Sequence, residues 1–260
     1  MLETLWLKLE IQNRYLSMLA FSFVFSIVVL RLTKSFVPLP TGLASVFLIS
    51  LAAAYPFVRY MKHEEESESV IKKRFSERNI LRRHERELMI YLVFFVGVTF
   101  AYISSYYIWG ASAFGDQFQA VNQIQGISGN ASGGIGFSEI LMNNLMVFAI
   151  TFVIALVISA GTVFILVWNA SILGVFVAHA SQNALFAHVN VLTYLPHGLL
   201  EIGAYVLSGI AASLLSYQLD RKLRGKKFDG GAFVRVLGDV FILVVIGLGF
   251  LVLGAFVEVL

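Results

Sequence analysis

Seven apolar runs alternate with short polar clusters along the chain: Tyr15–Leu30, Thr41–Tyr60, Leu88–Tyr107, Leu141–Trp168, Asn169–Ala187, Pro196–Tyr217 and Val236–Val259. A helix needs roughly 20 apolar residues to cross bilayer hydrocarbon. The pattern predicts an all-α, polytopic transmembrane helix bundle of about seven membrane-crossing segments, a single transmembrane domain over 1–260. Asn169–Ala187 is the most polar run, carrying Ser171, His179, Ser181, Gln182 and Asn183. Ahead of the first run, Leu2, Leu5, Trp6 and Leu9 fall near one helical face and Glu3, Lys8, Glu10 and Asn13 fall away from it. This predicts an interfacial amphipathic helix over 1–14.

Composition strengthens the membrane reading. The 260 residues are 58% hydrophobic and only 13% charged, where globular chains carry about a quarter charged residues, and mean hydropathy is +0.81. Too few charges are present to cover such a surface in water. With no cysteine, disulfides and thiolate metal sites are excluded. Tyr15–Leu30 is followed by Arg31 and Lys34 rather than by small residues, unlike a cleaved signal peptide.

Basic residues orient the bundle, because cytoplasmic loops collect Lys and Arg. Of the 19 Lys and Arg, eight lie in 61–87 and five in 218–232, whereas 109–138 and 188–195 have none. An even number of crossings must separate the two basic segments, which makes Asn169–Ala187 a full span. The N-terminus is then inside and the C-terminus outside, with Arg31 and Lys34 left on the outer side. Tyr60, Tyr91, Tyr106, Tyr107, Trp109, Trp168, Tyr194 and Tyr217 fall at expected helix ends, where amphipathic rings prefer headgroups. The 61–87 segment reads as a charged cytoplasmic extension of spans two and three, or as a partner-docking site. The 109–138 segment reads as a Gly/Ser-rich, flexible outer loop.

Candidate chemistry concentrates in the outer half of the bundle. His197 and Glu201 are i,i+4 neighbours near the start of the sixth run, with Tyr205 continuing the stripe. Pro196 suits a first helical position. Asn144, Thr151, Ala155, Thr162 and Asn169 fall on one line at 100° per residue, a seam suited to helix packing. With Asn143 and Glu258, these residues give a polar cluster of Asn143, Asn144, Asn169, His197, Glu201 and Glu258, open to two readings. It could bind a cation, a metal or a headgroup, or hold helices together by hydrogen bonds. His197, Glu201 and Glu258 would be the ligands if a metal is present. Asp239, near the inner end of the last run, is expected to snorkel or to meet Arg235. His-Glu-x-x-His and Gly-x-Ser-x-Gly are absent, so no catalytic residue is assigned.

Asn143-Asn144, Gly161, Asn169, Gly174, the string Pro196-His197-Gly198-Leu199-Leu200-Glu201 and the Gly254-Ala255-Phe256-Val257-Glu258 close together resemble the stage II sporulation protein M family. The resemblance spans 141–260. It implies a shared membrane fold, packing or backbone roles for Gly161, Gly174, Pro196 and Gly198, and a non-enzymatic role. Family members in endospore formers are membrane anchors that recruit cell-wall hydrolases, and many others have no settled activity. The resulting expectation is a membrane scaffold that assembles or localises partner proteins. The alternatives are a small transporter or channel using the Asn/His/Glu cluster, and a metal-dependent membrane enzyme. The expected partners are the lipid bilayer and membrane or cytoplasmic proteins, with homo-oligomerisation left open and nucleic acid not expected. No cofactor is expected, and the expected location is the cell membrane.

Overall fold

The computed structural model describes residues 14–37, 39–66, 80–120, 136–158, 161–182, 187–223 and 230–259. The expected helix over 1–14 lies almost wholly outside them, as do most of 61–87 and residues 121–135. Helices account for nearly everything described, with no strand among the described residues. They are α1 (Arg14–Phe36), α2 (Thr41–Glu66), α3 (Ile80–Arg83), α4 (Glu85–Trp109), α5 (Phe137–Val157), α6 (Gly161–Gln182), α7 (Ala187–Leu223) and α8 (Gly230–Val259), with a 3₁₀ turn at Ala111–Phe114 between α4 and α5. Hydrocarbon offers backbone groups no hydrogen bonds, so apolar runs of this length are stable there only as helices that satisfy themselves. Six spans are long and apolar enough to cross: Tyr15–Phe36, Glu85–Trp109, Phe137–Val157, Gly161–Gln182, Pro196–Asp220 and Phe233–Val259. The protein is a transmembrane helix bundle. Thr41–Phe57 is apolar but shorter than these six.

Burial ranks the helices. Residues 202–214 of α7 are buried without interruption, and α7 packs against α8, α5, α6 and α4. On the far side of α4 and α6, α1 lies on α4 and α2 lies on α6. Peripheral α1, α5 and α8 keep large apolar side chains on their outer faces, such as Val24, Val28, Ile150, Val153, Phe241 and Val245. That is the pattern lipid requires. Close crossings depend on missing side chains: a Cβ on Gly174 of α6 would stand 2.7 Å from the Thr99 carbonyl oxygen and 2.8 Å from the Tyr102 Cβ of α4.

Three boundaries differ from the sequence expectation. Helix α5 ends at Val157 and α6 begins at Gly161, rather than the two dividing between Trp168 and Asn169. A single helix over Leu141–Trp168 would measure about 42 Å, well beyond a hydrocarbon core of roughly 30 Å. The chain therefore turns early. Ile158 is extended (φ −127°, ψ 101°), and the Gly161 N–H donates to the Ile158 carbonyl at 2.6 Å. A Cβ on Gly161 would stand 2.7 Å from the Ile154 carbonyl carbon, so glycine lets the reversal close. Trp168 consequently lies inside α6 rather than at a helix end, and the Asn144-to-Asn169 seam is split over two helices.

Pro196 is the second difference. It sits inside α7, which begins nine residues earlier at Ala187. An interior proline forfeits one backbone hydrogen bond, and the helix continues through it. The third is the outer segment, whose first part, 111–120, is helical rather than a loop. Phe114 is fully buried, stacking on Tyr106 and Trp109. Asp116 accepts a hydrogen bond from the Leu43 backbone N–H in the first turn of α2 at 3.1 Å. Gln117, also fully buried, donates from Nε2 to Ser171 Oγ at 3.3 Å. Left-handed Gly110 (φ 73°) stops α4 and turns the chain back.

Replacing Gly174 by valine should therefore force α4 and α6 apart and destabilise the bundle by about 2 kcal/mol or more. Gly249→Ala, where a Cβ meets nothing within 4 Å, should be neutral or slightly stabilising. Thermal or denaturant unfolding in detergent checks both.

Candidate functional site

The helical period of α7 sets Glu201, Tyr205 and Ser208 along one face, and that face meets α5. There Asn144 is 5% exposed and uses both ends of its carboxamide. Its Nδ2 donates to Glu201 Oε1 at 2.5 Å, and its Oδ1 accepts from the Tyr205 hydroxyl at 2.9 Å. One turn deeper, the Ser208 hydroxyl donates to the Phe148 carbonyl at 2.9 Å, a bond that needs the two helices close together. Helix α8 closes the third side. A Cβ on Gly254 would lie 3.5 Å from both the His197 carbonyl oxygen and Glu201 Cγ, so α8 rests directly on this turn of α7. Glu258 lies one turn beyond Gly254 on the same helix. His197 is 7% exposed.

Of the expected cluster, the structure bonds Asn144 directly to Glu201, sets His197 one turn before Glu201 on α7 and carries Glu258 on the neighbouring α8. It separates the other two. Asn143 is exposed on the outer face of α5, because one residue along a helix turns a side chain by about 100°. Asn169, carried on α6 by the early reversal, donates to its own helix at the Ile165 carbonyl, 2.8 Å away. Gly161 and Gly174 occupy close contacts, whereas a Cβ on Gly198 would meet nothing within 4 Å, so packing does not explain that glycine. Among the described residues, no three His, Asp or Glu side chains come together as a metal site would require.

A second polar group lies at the opposite end of the bundle. Asp239 of α8 is paired not with Arg235 but with Arg83 of α3, whose Nη2 is 2.8 Å from Oδ1. Buried His84 stands between two carboxylates, 3.8 Å from Glu87 Oε1 and 3.8 Å from Asp239 Oδ2. No local spacing announces this pairing, because Arg83 and Asp239 are far apart in the chain. The only hint was complementary charge at the same expected depth. Along α8, 19 residues separate Asp239 from Glu258, about 28 Å of helix, so the two polar layers lie nearly one hydrocarbon thickness apart. Sequence reasoning also missed the Tyr106 hydroxyl on His179 Nδ1 at 2.8 Å and Ser45 on the Tyr102 hydroxyl at 2.8 Å, which tie α4 to α6 and to α2.

The family model for stage II sporulation protein M matches residues 90–260. The chain belongs to that family. No curated protein and no solved structure matches it. The family region takes in α4 from Ile90 onward as well as α5 to α8, and so holds Asn144, His197, Glu201, Tyr205 and Glu258. Helices α1 and α2 precede it. The ion cluster joins the two parts, since Arg83, His84 and Glu87 lie just before the match and Asp239 within it.

Asn144→Leu should leave Glu201 and Tyr205 without their shared partner and cost about 2–3 kcal/mol. Tyr205→Phe, which removes one hydroxyl and leaves the ring, should cost about 1 kcal/mol. Both are read from unfolding in detergent or bicelles. Asp239→Ala should cost about 3 kcal/mol or more by stranding buried Arg83, and Arg83→Met in the same chain should restore part of that loss.

Proposed function

We propose that this family member is a scaffold in the cell membrane that assembles or localises partner proteins. In this reading seven segments cross the bilayer, α2 included, with the N-terminus and the lysine- and arginine-rich segments on the cytosolic side and the C-terminus outside. One observation carries it: the polar groups most suited to chemistry are engaged with one another. Asn144 spends its donor and its acceptor on Glu201 and Tyr205, and Gly254 of α8 is packed over the same turn. A set of side chains used this way holds three helices in register. A transport pathway, in contrast, needs polar groups that exchange partners with the solute. Family membership supports the same role, and the charged 61–87 segment is the proposed contact surface.

The test is affinity capture of the tagged full chain from its native membranes in mild detergent. The scaffold reading expects a reproducible protein partner that is lost when 64–86 is deleted, and whose membrane localisation fails in cells lacking the chain. Recovery of the isolated chain alone, with no effect of the deletion, would contradict it. In parallel, ion or solute flux into liposomes should be the same for wild type and Glu201→Gln. A flux that the substitution abolishes would favour the transporter instead.

A further inference from the structure

His84 is a buried ionisable side chain far from the Asn144 group. It is 1% exposed and stands at the corner where α3 passes into α4. Its backbone N–H donates to the Ile80 carbonyl at 3.2 Å, and its carbonyl accepts from the Leu88 N–H at 3.0 Å. The ring lies between two helices. Nδ1 is 3.8 Å from Glu87 Oε1 on α4, and Nε2 is 3.8 Å from Asp239 Oδ2 on α8. Asp239 gives its other oxygen to Arg83. Among the described residues neither ring nitrogen makes a hydrogen bond, because 3.8 Å is beyond hydrogen-bond reach. Glu87 is buried like His84, and so is Tyr91 one turn further along α4. Of the other charged groups described at this end, Arg59, Arg82, Glu85, Arg86, Lys222 and Arg235 are exposed, and α7 adds half-buried Tyr217 and Asp220. Carboxylate oxygens therefore face both nitrogens of the ring.

This arrangement distinguishes the two forms of imidazole. A neutral ring has one N–H and one bare lone pair. Whichever tautomer it takes, that lone pair faces a carboxylate oxygen in a site closed to bulk solvent. A protonated ring offers an N–H on both sides, one toward Glu87 and one toward α8. We propose that His84 is a proton-dependent clasp: a bound proton draws the α3–α4 corner onto Asp239 of α8, and its release loosens that corner. Histidine is the side chain whose ordinary titration falls between about pH 5 and 8. Exposed Glu85 and Arg86 follow it directly, so protons reach the ring from the adjoining surface. The Arg83–Asp239 bond does not involve the ring, so release loosens the corner without detaching α3. A proton held more tightly by the folded chain than by the unfolded one stabilises the fold on the acid side, and that contribution is lost as pH rises. The proposal goes beyond the scaffold reading and does not depend on it.

The absence of native cysteine allows one pair of spin labels to be placed at will. Arg82→Cys on α3 and Leu237→Cys on α8, both exposed, carry the labels in the full chain in liposomes. Distances between them are measured by double electron–electron resonance from about pH 5.5 to about pH 8.5. The distribution should be narrow at the acid end and broaden reversibly as pH rises. With His84→Gln added, it should be the same at every pH. Unfolding in detergent should carry the matching sign, the unfolding constant of the wild type rising about threefold more than that of His84→Gln over this range. Should His84→Gln not fold, Glu87→Gln replaces it, and the change of distance with pH should shrink. A wild-type distribution that ignores pH, or an undiminished response in the variant, would overturn the proposal. Either result would leave the partner-capture test of the scaffold untouched.

Discussion

A buried amide that must be satisfied without water governs this bundle. Apolar contact alone does not choose among helix arrangements in lipid, because a leucine is as well solvated by acyl chains as by another leucine. Direction comes from groups that lipid cannot satisfy. At one end Asn144 bridges Glu201 and Tyr205, which fixes the rotation of α5 about its own axis relative to α7. Ser208 repeats the contact one turn deeper through the Phe148 carbonyl. With α5 and α7 fixed, the missing side chain of Gly254 lets α8 rest against the His197 carbonyl and Glu201 of α7.

The ion cluster around Arg83 and Asp239 does the same for the other end. Arg83 and Asp239 are each almost fully buried in their pair, and a buried pair is costly to break once formed. It joins the corner between α3 and α4 to α8, and so couples the charged 61–87 segment to the family region. The two polar layers, about 28 Å apart along α8, leave a middle in which packing is set by shape. There small residues such as Gly174 let helix backbones approach.

Hydropathy alone made the long helices and the membrane environment legible, although the fourth apolar run proved to be shared between α5 and α6. The i,i+4 relation of His197, Glu201 and Tyr205 was equally readable, because it is local. Boundaries inside continuous apolar sequence were not. The sequence from Ile158 to Gly161 contains no charge or proline, and the reversal depends on how closely Gly161 can approach Ile154. Asn143 and Asn144 looked like one feature. Only the packing of α5 decides which of them faces inward. The pairing of Arg83 with Asp239 depends on tertiary arrangement throughout. Residues 111–120 did carry a signal, with Ala113, Phe114, Gln117 and Phe118 at helical spacing, which the polar composition of the longer loop obscured.

Solid-state magnetic resonance of the chain in lipid bilayers, with labelled asparagine, glutamate and tyrosine, addresses the governing interaction directly. The account predicts through-space correlations from the Asn144 side-chain amide to the Glu201 carboxyl and to the Tyr205 ring, with no exchange peak to water. An Asn144 amide that correlates with water, and with neither of those side chains, would contradict it.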